Sequence, residues 1–340
     1  IYLSDDSGHN AWVNSPALAA AGITRDTPDP RGGIIVRDAD GEPNGLLYEA
    51  GRDPVHAVRP DYTVEQYQAA ITEAIRDAGR FGITGVNEAR TTPGAYQAYR
   101  ALEAAGRLPI RVAANQQTPS EFRDYPLDIK SYIETRERYE SDKVKAGFIK
   151  IFLDGVPTAS RTALMLADYT TDEQHPEATR GELMVAPEVL ARDLVALDAA
   201  GLTVKIHTAG DGAVRVALDA IAAARKANGD GGGRHQLAHA GYIDPDDLPR
   251  FEALGVTADL SPYIWFPSPI TDSVVGAVGE RGKRYFPVRS LLDSGADLLM
   301  GSDWPSAAEN LSPWPGIEAL VTRRNPVNDG KDALWPEEAI

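Results

Sequence analysis

Four ionisable residues stand where apolar runs of strand length come to an end: Lys150 in "FIKIFLDG", His207 in "VKIHTAGDGAVR", His239 in "RHQLAHA" and Asp303 in "LLMGSDWP". Two neutral imidazoles and a carboxylate make up the ligand set of a hydrolytic zinc centre, with one position left for water. A histidine closing an apolar run can equally be a satisfied core or loop residue, and the residue types by themselves leave both readings open. The spacings His207 to His239 and His239 to Asp303 correspond to about one and two βα units, so they report the fold and carry nothing about a metal. Alternation along a strand adds a geometric check. Phe148, Lys150 and Phe152 share a face, as do Lys205 and His207, then His235, Leu237 and His239, and finally Asp297, Leu299, Gly301 and Asp303. One ionisable group from each of four strand ends can converge on a single point.

The elements that must position these groups are legible. Strand-like runs cover 84–89, 108–115, 147–155, 202–208, 234–240, 256–262 and 296–303. Helical stretches separate several of them. The segment 63–80 opens with a Thr63…Gln66 capping box. The segment 187–200 has Pro187 in its first turn, Leu190, Leu194 and Leu197 on one face, and Gly201 as its stop. The segment 211–228 repeats Val214, Leu218, Ile221 and Arg225 at helical spacing. Regular β–α alternation means parallel strands with helical crossovers, an α/β fold. Seven units favour a (β/α)8 TIM barrel lacking one strand, and no Gly-rich phosphate loop supports an open dinucleotide-binding sheet. Barrels of this kind place their chemistry at the C-terminal ends of the strands. Residues 1–62 read as an N-terminal segment whose 32–50 stretch is a β-hairpin around Asp40-Gly41, outside the barrel domain of 63–340. Two long loops, 155–186 and 261–287, read as lids or binding loops, the second carrying Tyr263, Trp265, Phe266, Tyr285 and Phe286.

Composition narrows the partners. A formal charge of −16 argues against nucleic acid or an anionic membrane surface, both of which need clustered Lys and Arg. No run of about 18 apolar residues exists to span a membrane. The absence of cysteine excludes disulfides, thiolate metal sites and cysteine nucleophiles. The expected protein is cytoplasmic, takes a small molecule as its partner, and has a homodimer among its open assemblies. Both ends read as cut: "IYLSDD" begins as a strand without Met, and "LWPEEAI" stops in a first helical turn.

Six blocks in order, "GHNAWVNSPALAAAGI", "FIKIFLDGVPTASRTA", "KIHTAGDGAVRVALDA", "RHQLAHAGYIDPDDLPRFEALGV", "YFPVRSLLDSGADLLMGSDWP" and "NLSPWPGIEALVTRRNP", resemble amidohydrolase family 3, the branch with N-substituted formamide deformylase. The resemblance implies a metal-dependent hydrolase on a (β/α)8 barrel, binding one or two divalent cations with zinc foremost. It implies that His207 and His239 are the metal histidines of the fifth and sixth strands. It also implies that Asp303 is the eighth-strand aspartate that binds metal and moves the proton, and that Lys150 is a fourth-strand lysine open to carboxylation. The family writes Glu before the sixth-strand histidine where this chain has Ala238, a residue expected to point away from the face of His239. The family's first strand ends in His-x-His, and none occurs among His9, His56, His175, His207, His235 and His239. The chain is therefore expected to hold strands two to eight and half of the metal site, to bind at most one metal weakly, and to be inactive alone.

The implied reaction is hydrolysis of an amide-type bond. Esters or cyclic amides on the same site, and a non-catalytic ligand-binding barrel, are the alternatives. His9, Arg161 and Trp265 are the expected substrate contacts: His9 from its block, Arg161 (with Thr162) as a clamp for a carboxylate or carbonyl, Trp265 from the aromatic loop. Glu88 and Asn115 are candidates for the pocket wall, His235 for a structural role deeper in the barrel, and Asp154 and Asp211 for turns or caps.

Overall fold

The structure is a computed structural model and describes residues 1–5, 8–119, 122–173, 175–306, 308–327 and 332–340. The chain opens with four short strands, β1 (Tyr2–Ser4), β2 (Asn10–Val13), β3 (Gly33–Arg37) and β4 (Pro43–Glu49), in an antiparallel sheet of order β1-β2-β4-β3. β3 and β4 are the expected hairpin. Its turn works because Asp38 Oδ1 accepts from the amides of Asp40 and Glu42, at 3.0 and 2.9 Å, and Gly41 takes a φ of 84° that a Cβ would disfavour. The hairpin proves to be half of a larger sheet, since β2 sits beside β4 in the block "GHNAWVN". Leu47, Ile35 and Val13 bury one face of it in a small core of its own.

All seven expected barrel strands form: β5 (Gly85–Thr91), β6 (Arg111–Gln117), β7 (Val144–Phe152), β8 (Thr203–Thr208), β9 (Gln236–His239), β10 (Thr257–Leu260) and β11 (Asp297–Met300). They make one parallel sheet in unbroken sequence order from β5 to β11. The sheet curls on itself, so that Asn87 on β5 donates to Gln236 on β9 at 3.0 Å. β5 and β11 are its two edges and are not paired with each other, so what stands here is a curled, barrel-like sheet.

Alternation sorts the side chains between two sides. Ile149, Ile151, Leu153, Val204, Ile206 and Leu237 pack outward into the main core against helices, where Leu190, Leu194 and Leu197 of the helix Pro187–Ala199 are fully buried. Val214, Leu218 and Ile221 of the helix Asp211–Asn228 join them, as the periodicity predicts. The helix Val64–Arg80 keeps its capping box, with Thr63 Oγ1 accepting from Gln66 N at 3.2 Å and Gln66 Oε1 from Thr63 N at 2.8 Å. Among the described residues no helix is long and apolar enough to cross a membrane.

The 261–287 segment departs from its reading as a loop. It contains the helix Pro269–Val278, started by a Ser268/Thr271 capping box and burying Val274, Ala277 and Val278. A Thr in place of Glu or Gln at the third helical position, and dense Pro and Gly around it, hid this helix from a pattern reading.

Candidate metal centre

A cavity of about 920 Å3 opens at the C-terminal end of the curled sheet and is lined by Lys150, His207, His239, Asp303 and His9 together. His207 reaches it because Val204 and Ile206 face the helices, leaving Lys205 and His207 for the interior. Its Nε2 lies 3.0 Å from the carbonyl oxygen of Gly155, which can only accept, so that nitrogen carries the proton and Nδ1 keeps the lone pair. Burial, and then the electrostatic influence of His9, Lys150 and His239, drives its pKa well below the usual histidine value and keeps the ring neutral.

His239 closes β9. Its Nδ1 is 2.7 Å from Ser261 Oγ, and its Nε2 is 3.8 Å from Asp303 Oδ2. The rings of His207 and His239 meet edge-on with centroids 5.3 Å apart, close enough to serve one ion. Asp303 lies just past β11 with φ 54°, a left-handed conformation that Asp tolerates better than most residues.

Lys150 is buried beside the Phe152 ring, with Nζ 4.9 Å from its centroid. Its pKa is lowered to about 7 by burial and then by the charge of Lys205, against the opposing pull of Asp303, Asp259 and Asp154. Lys205 is itself held by a buried ion pair with Asp259, reaching from β8 across β9 to β10. Lys205 is legible from its alternation with His207. Asp259 is not, because the pairing depends on the register of three strands.

The antiparallel sheet supplies a second set of groups. Glu49, at the end of β4, accepts from His9 Nδ1 at 2.8 Å and from Thr162 Oγ1 at 2.7 Å. Burial pushes its pKa up, but His9, Thr162 and Arg52 outweigh burial and hold the carboxyl below its ordinary value. This fixes the His9 ring 4.9 Å from that of His207. A Cβ on Gly155 would come within 2.1 Å of Thr162 Oγ1 and 2.3 Å of Glu49 Oε1, so glycine is needed at that crossing. Sequence reasoning missed Glu49; its place at the end of an alternating strand was the available signal. Asp154 behaves as the staple expected of it, accepting from the amides of Leu164, Ala209 and Gly210, each at 3.0 Å. Asp211 accepts from Leu166 N at 2.7 Å at the start of its helix.

Three expectations need correction. Arg161 is committed to Thr170 O and Asp172 and does not line the cavity, because the 155–186 segment folds back and uses it as a strut. Trp265 is fully buried against Phe286, so its ring is core and only Tyr263 of the aromatic loop reaches the cavity. Ala238 lines the cavity beside His239, while Leu237 belongs to the helix-side core. Glu88 does line the cavity and accepts from Tyr99 OH at 3.3 Å, whereas Asn115 is buried beneath it on Asn87.

A divalent cation suits part of this donor set. Each imidazole commits one nitrogen to a protein group and keeps the other, as metal-binding histidines do. Among the described residues, however, no three His, Cys, Asp or Glu side chains close into a ligand cluster. The two imidazoles, Asp303 and Lys150 form an open set around the cavity.

The curled parallel sheet is a fold that solved structures share, and the comparisons give the family. The chain belongs to the amidohydrolase family, a model of which matches residues 1–340. It is 31% identical over 328 residues to YtcJ of Bacillus subtilis, which bears the name of an amidohydrolase, covering 93% of this chain and 57% of that protein. It is 28% identical over 357 residues to N-substituted formamide deformylase of Arthrobacter pascens, covering 100% of this chain and 62% of that one. An uncharacterized metal-dependent hydrolase from Pyrococcus horikoshii superposes with a TM-score of 0.74 at 24% identity, over 100% of this chain and 63% of that structure. The chain thus spans about three fifths of the length of the relatives it matches.

Proposed function

We propose that the cavity is the active site of a hydrolase that cleaves carbon–nitrogen bonds of the amide or formamide type, with Lys150, His207, His239 and Asp303 holding divalent cations, zinc foremost. The observation carrying this reading is that two neutral imidazoles, a carboxylate and a buried lysine from four strands line one cavity, with the histidine rings 5.3 Å apart. A bound cation would supply Lewis acidity toward a carbonyl and lower the pKa of water. The chain's own residues do the rest. The Gly155 carbonyl and Ser261 hydroxyl hold the two imidazoles in orientation. Asp303 takes the proton released as water attacks the carbonyl carbon, then delivers it to the leaving nitrogen as the C–N bond breaks. The products are a carboxylate, formate in the case of a formamide, and an amine. Lys150, with its pKa near 7, has the neutral amine that carboxylation by CO2 requires, a reaction that releases one proton and leaves an anionic carbamate. His9, oriented by Glu49, faces the substrate.

In the whole protein, residues 63–340 would form the catalytic barrel, one more strand would close the seam between β5 and β11, and 1–62 would cover its mouth. A non-catalytic barrel is the second reading, favoured by the lack of any His-x-His pair in the sequence. Metal analysis of the whole protein, with turnover measured on N-formyl and N-acyl amines alongside matched esters and cyclic amides, separates these readings. Stoichiometric metal and preferred cleavage of the acyclic amides are expected. No bound metal and no turnover would leave the non-catalytic barrel standing.

A further inference from the structure

The antiparallel sheet and the barrel meet at one buried carboxylate. Glu49 is the last residue of β4, and its two oxygens serve different parts of the molecule. Oε2 accepts from His9 Nδ1, just before β2, and Oε1 accepts from Thr162 Oγ1 in the 155–186 segment. The Glu49 backbone joins in, its amide donating to His9 O at 2.9 Å and its carbonyl accepting from Arg52 Nε at 3.0 Å. Thr162 passes the contact on. Its carbonyl accepts from Gly155 N at 3.3 Å and its Oγ1 from Val156 N at 3.0 Å, which closes the 155–162 turn on itself. The Gly155 carbonyl then faces His207 Nε2 at 3.0 Å. Asp154 Oδ1 stands 3.8 Å from that nitrogen, beyond hydrogen-bond reach, and both its oxygens are spent on backbone amides. The His207 ring is therefore set by the Gly155 carbonyl, and that carbonyl by the turn that Glu49 holds. Two further features mark this crossing. Glu49, at φ 45°, and Arg161 beside Thr162, at φ 54°, both take left-handed backbone, which costs a non-glycine residue energy and persists where the surroundings over-determine it. The same two segments meet again at Gly32, where a Cβ would come within 2.7 Å of Met184 Sδ, and Met184 lines the cavity.

Resting on the metal site proposed above, we infer that Glu49 is a positioning residue of that site. By clamping His9 and Thr162 together it holds the Gly155 carbonyl that orients His207, so that docking of the antiparallel sheet is coupled to presentation of the His207 Nδ1 lone pair. Glu49 acts through these neighbours and needs no contact with substrate. The antiparallel sheet is then part of the machinery that holds a cation, beyond any role as a cover.

The first test measures zinc affinity of the whole protein by competition with a chromophoric chelator. Glu49→Ala and Thr162→Val should each weaken it by about 10-fold or more, as loss of a partner behind a metal histidine does. The double variant should be no weaker than Glu49→Ala alone, because both changes break one chain of contacts. Asp38→Ala opens the hairpin turn of the same sheet, away from the crossing. It should lower the melting temperature and leave zinc affinity within about 2-fold. Additive losses in the double variant, or an Asp38→Ala variant as weak as Glu49→Ala, overturn the inference. The second test needs neither metal nor turnover. Nitrogen-15 imidazole spectra of the whole protein with chelator present, the His207 signals assigned by their loss in His207→Gln, should show one tautomer with the proton on Nε2. That tautomer should survive in Asp38→Ala and become mixed in Glu49→Ala and Thr162→Val. An unchanged His207 spectrum in both of the latter overturns the inference. A tautomer that depends on Glu49 in a protein that binds no zinc and turns over no amide would sink the hydrolase reading and leave the positioning role standing.

Discussion

The two ends of the curled sheet use the same residue types in opposite ways. At the N-terminal end, Asp198 Oδ1 accepts from Arg225 Nη1 at 3.0 Å, Gly233 N at 3.1 Å and His235 Nε2 at 3.1 Å, while Oδ2 accepts from Asn228 at 3.0 Å. His235 is fully buried, and its Nδ1 accepts from Val204 N at 3.1 Å, so both ring nitrogens are spent. At the C-terminal end, His207 and His239 are equally neutral, yet each commits one nitrogen and faces a cavity. A buried polar group that is fully partnered holds a fold together; one left with capacity can take a ligand. The histidines therefore divide by the saturation of their hydrogen bonds, not by their burial.

The largest test of that division is replacement of His207 or His239 by Ala. Turnover should fall by about 10³-fold or more, as expected on losing a first ligand of a catalytic metal, while the melting temperature moves by only a few degrees. Unfolding as severe as the loss of activity would erase the distinction between the two ends.

Asp198→Ala should show the reverse pattern. It leaves Arg225 without its buried partner and should cost about 3–5 kcal/mol of stability by urea denaturation, with activity per folded molecule nearly kept. A loss below about 1 kcal/mol would mean that the cluster is not the anchor its geometry indicates.

The smallest effect is set by pH. His235 is held down to about 4 by burial and by Arg225, against an ordinary value of 6.5. The unfolded chain therefore takes up a proton that the folded one refuses. Stability should be full above about 6.5 and decline as pH falls toward 4, by roughly 2–4 kcal/mol for this one group. His56, His207 and His239 are shifted in the same direction and add to the slope, so denaturation with chelator present should be compared with that of His235→Asn, whose curve should be flatter. Identical slopes would remove His235 from the account.

Much of this architecture is written locally. Helix and strand periods recur every few residues, so the seven strands, the Thr63 capping box, the Asp40-Gly41 turn and the inward face of Lys205 and His207 were all legible in the chain. The same alternation brought Lys150, His207, His239 and Asp303 to one end, since parallel strands with helical crossovers point the same way.

Tertiary structure decided what each side chain had left to offer. Arg161 and Trp265 have the right types for substrate contacts, but the path of their segments spends one on Asp172 and buries the other against Phe286. Alternation misassigned Leu237 and Ala238, for Ala238 lines the cavity and Leu237 packs in the helix-side core. The pairing of Lys205 with Asp259, the hold of Glu49 on His9, and the gathering of Arg52, Arg59 and Arg90 around His56 all join residues far apart in the chain. A sequence records which groups can bond. Only the curl of the sheet and the route of its loops determine which of them have already done so, because hydrogen-bond saturation is a property of neighbours in space.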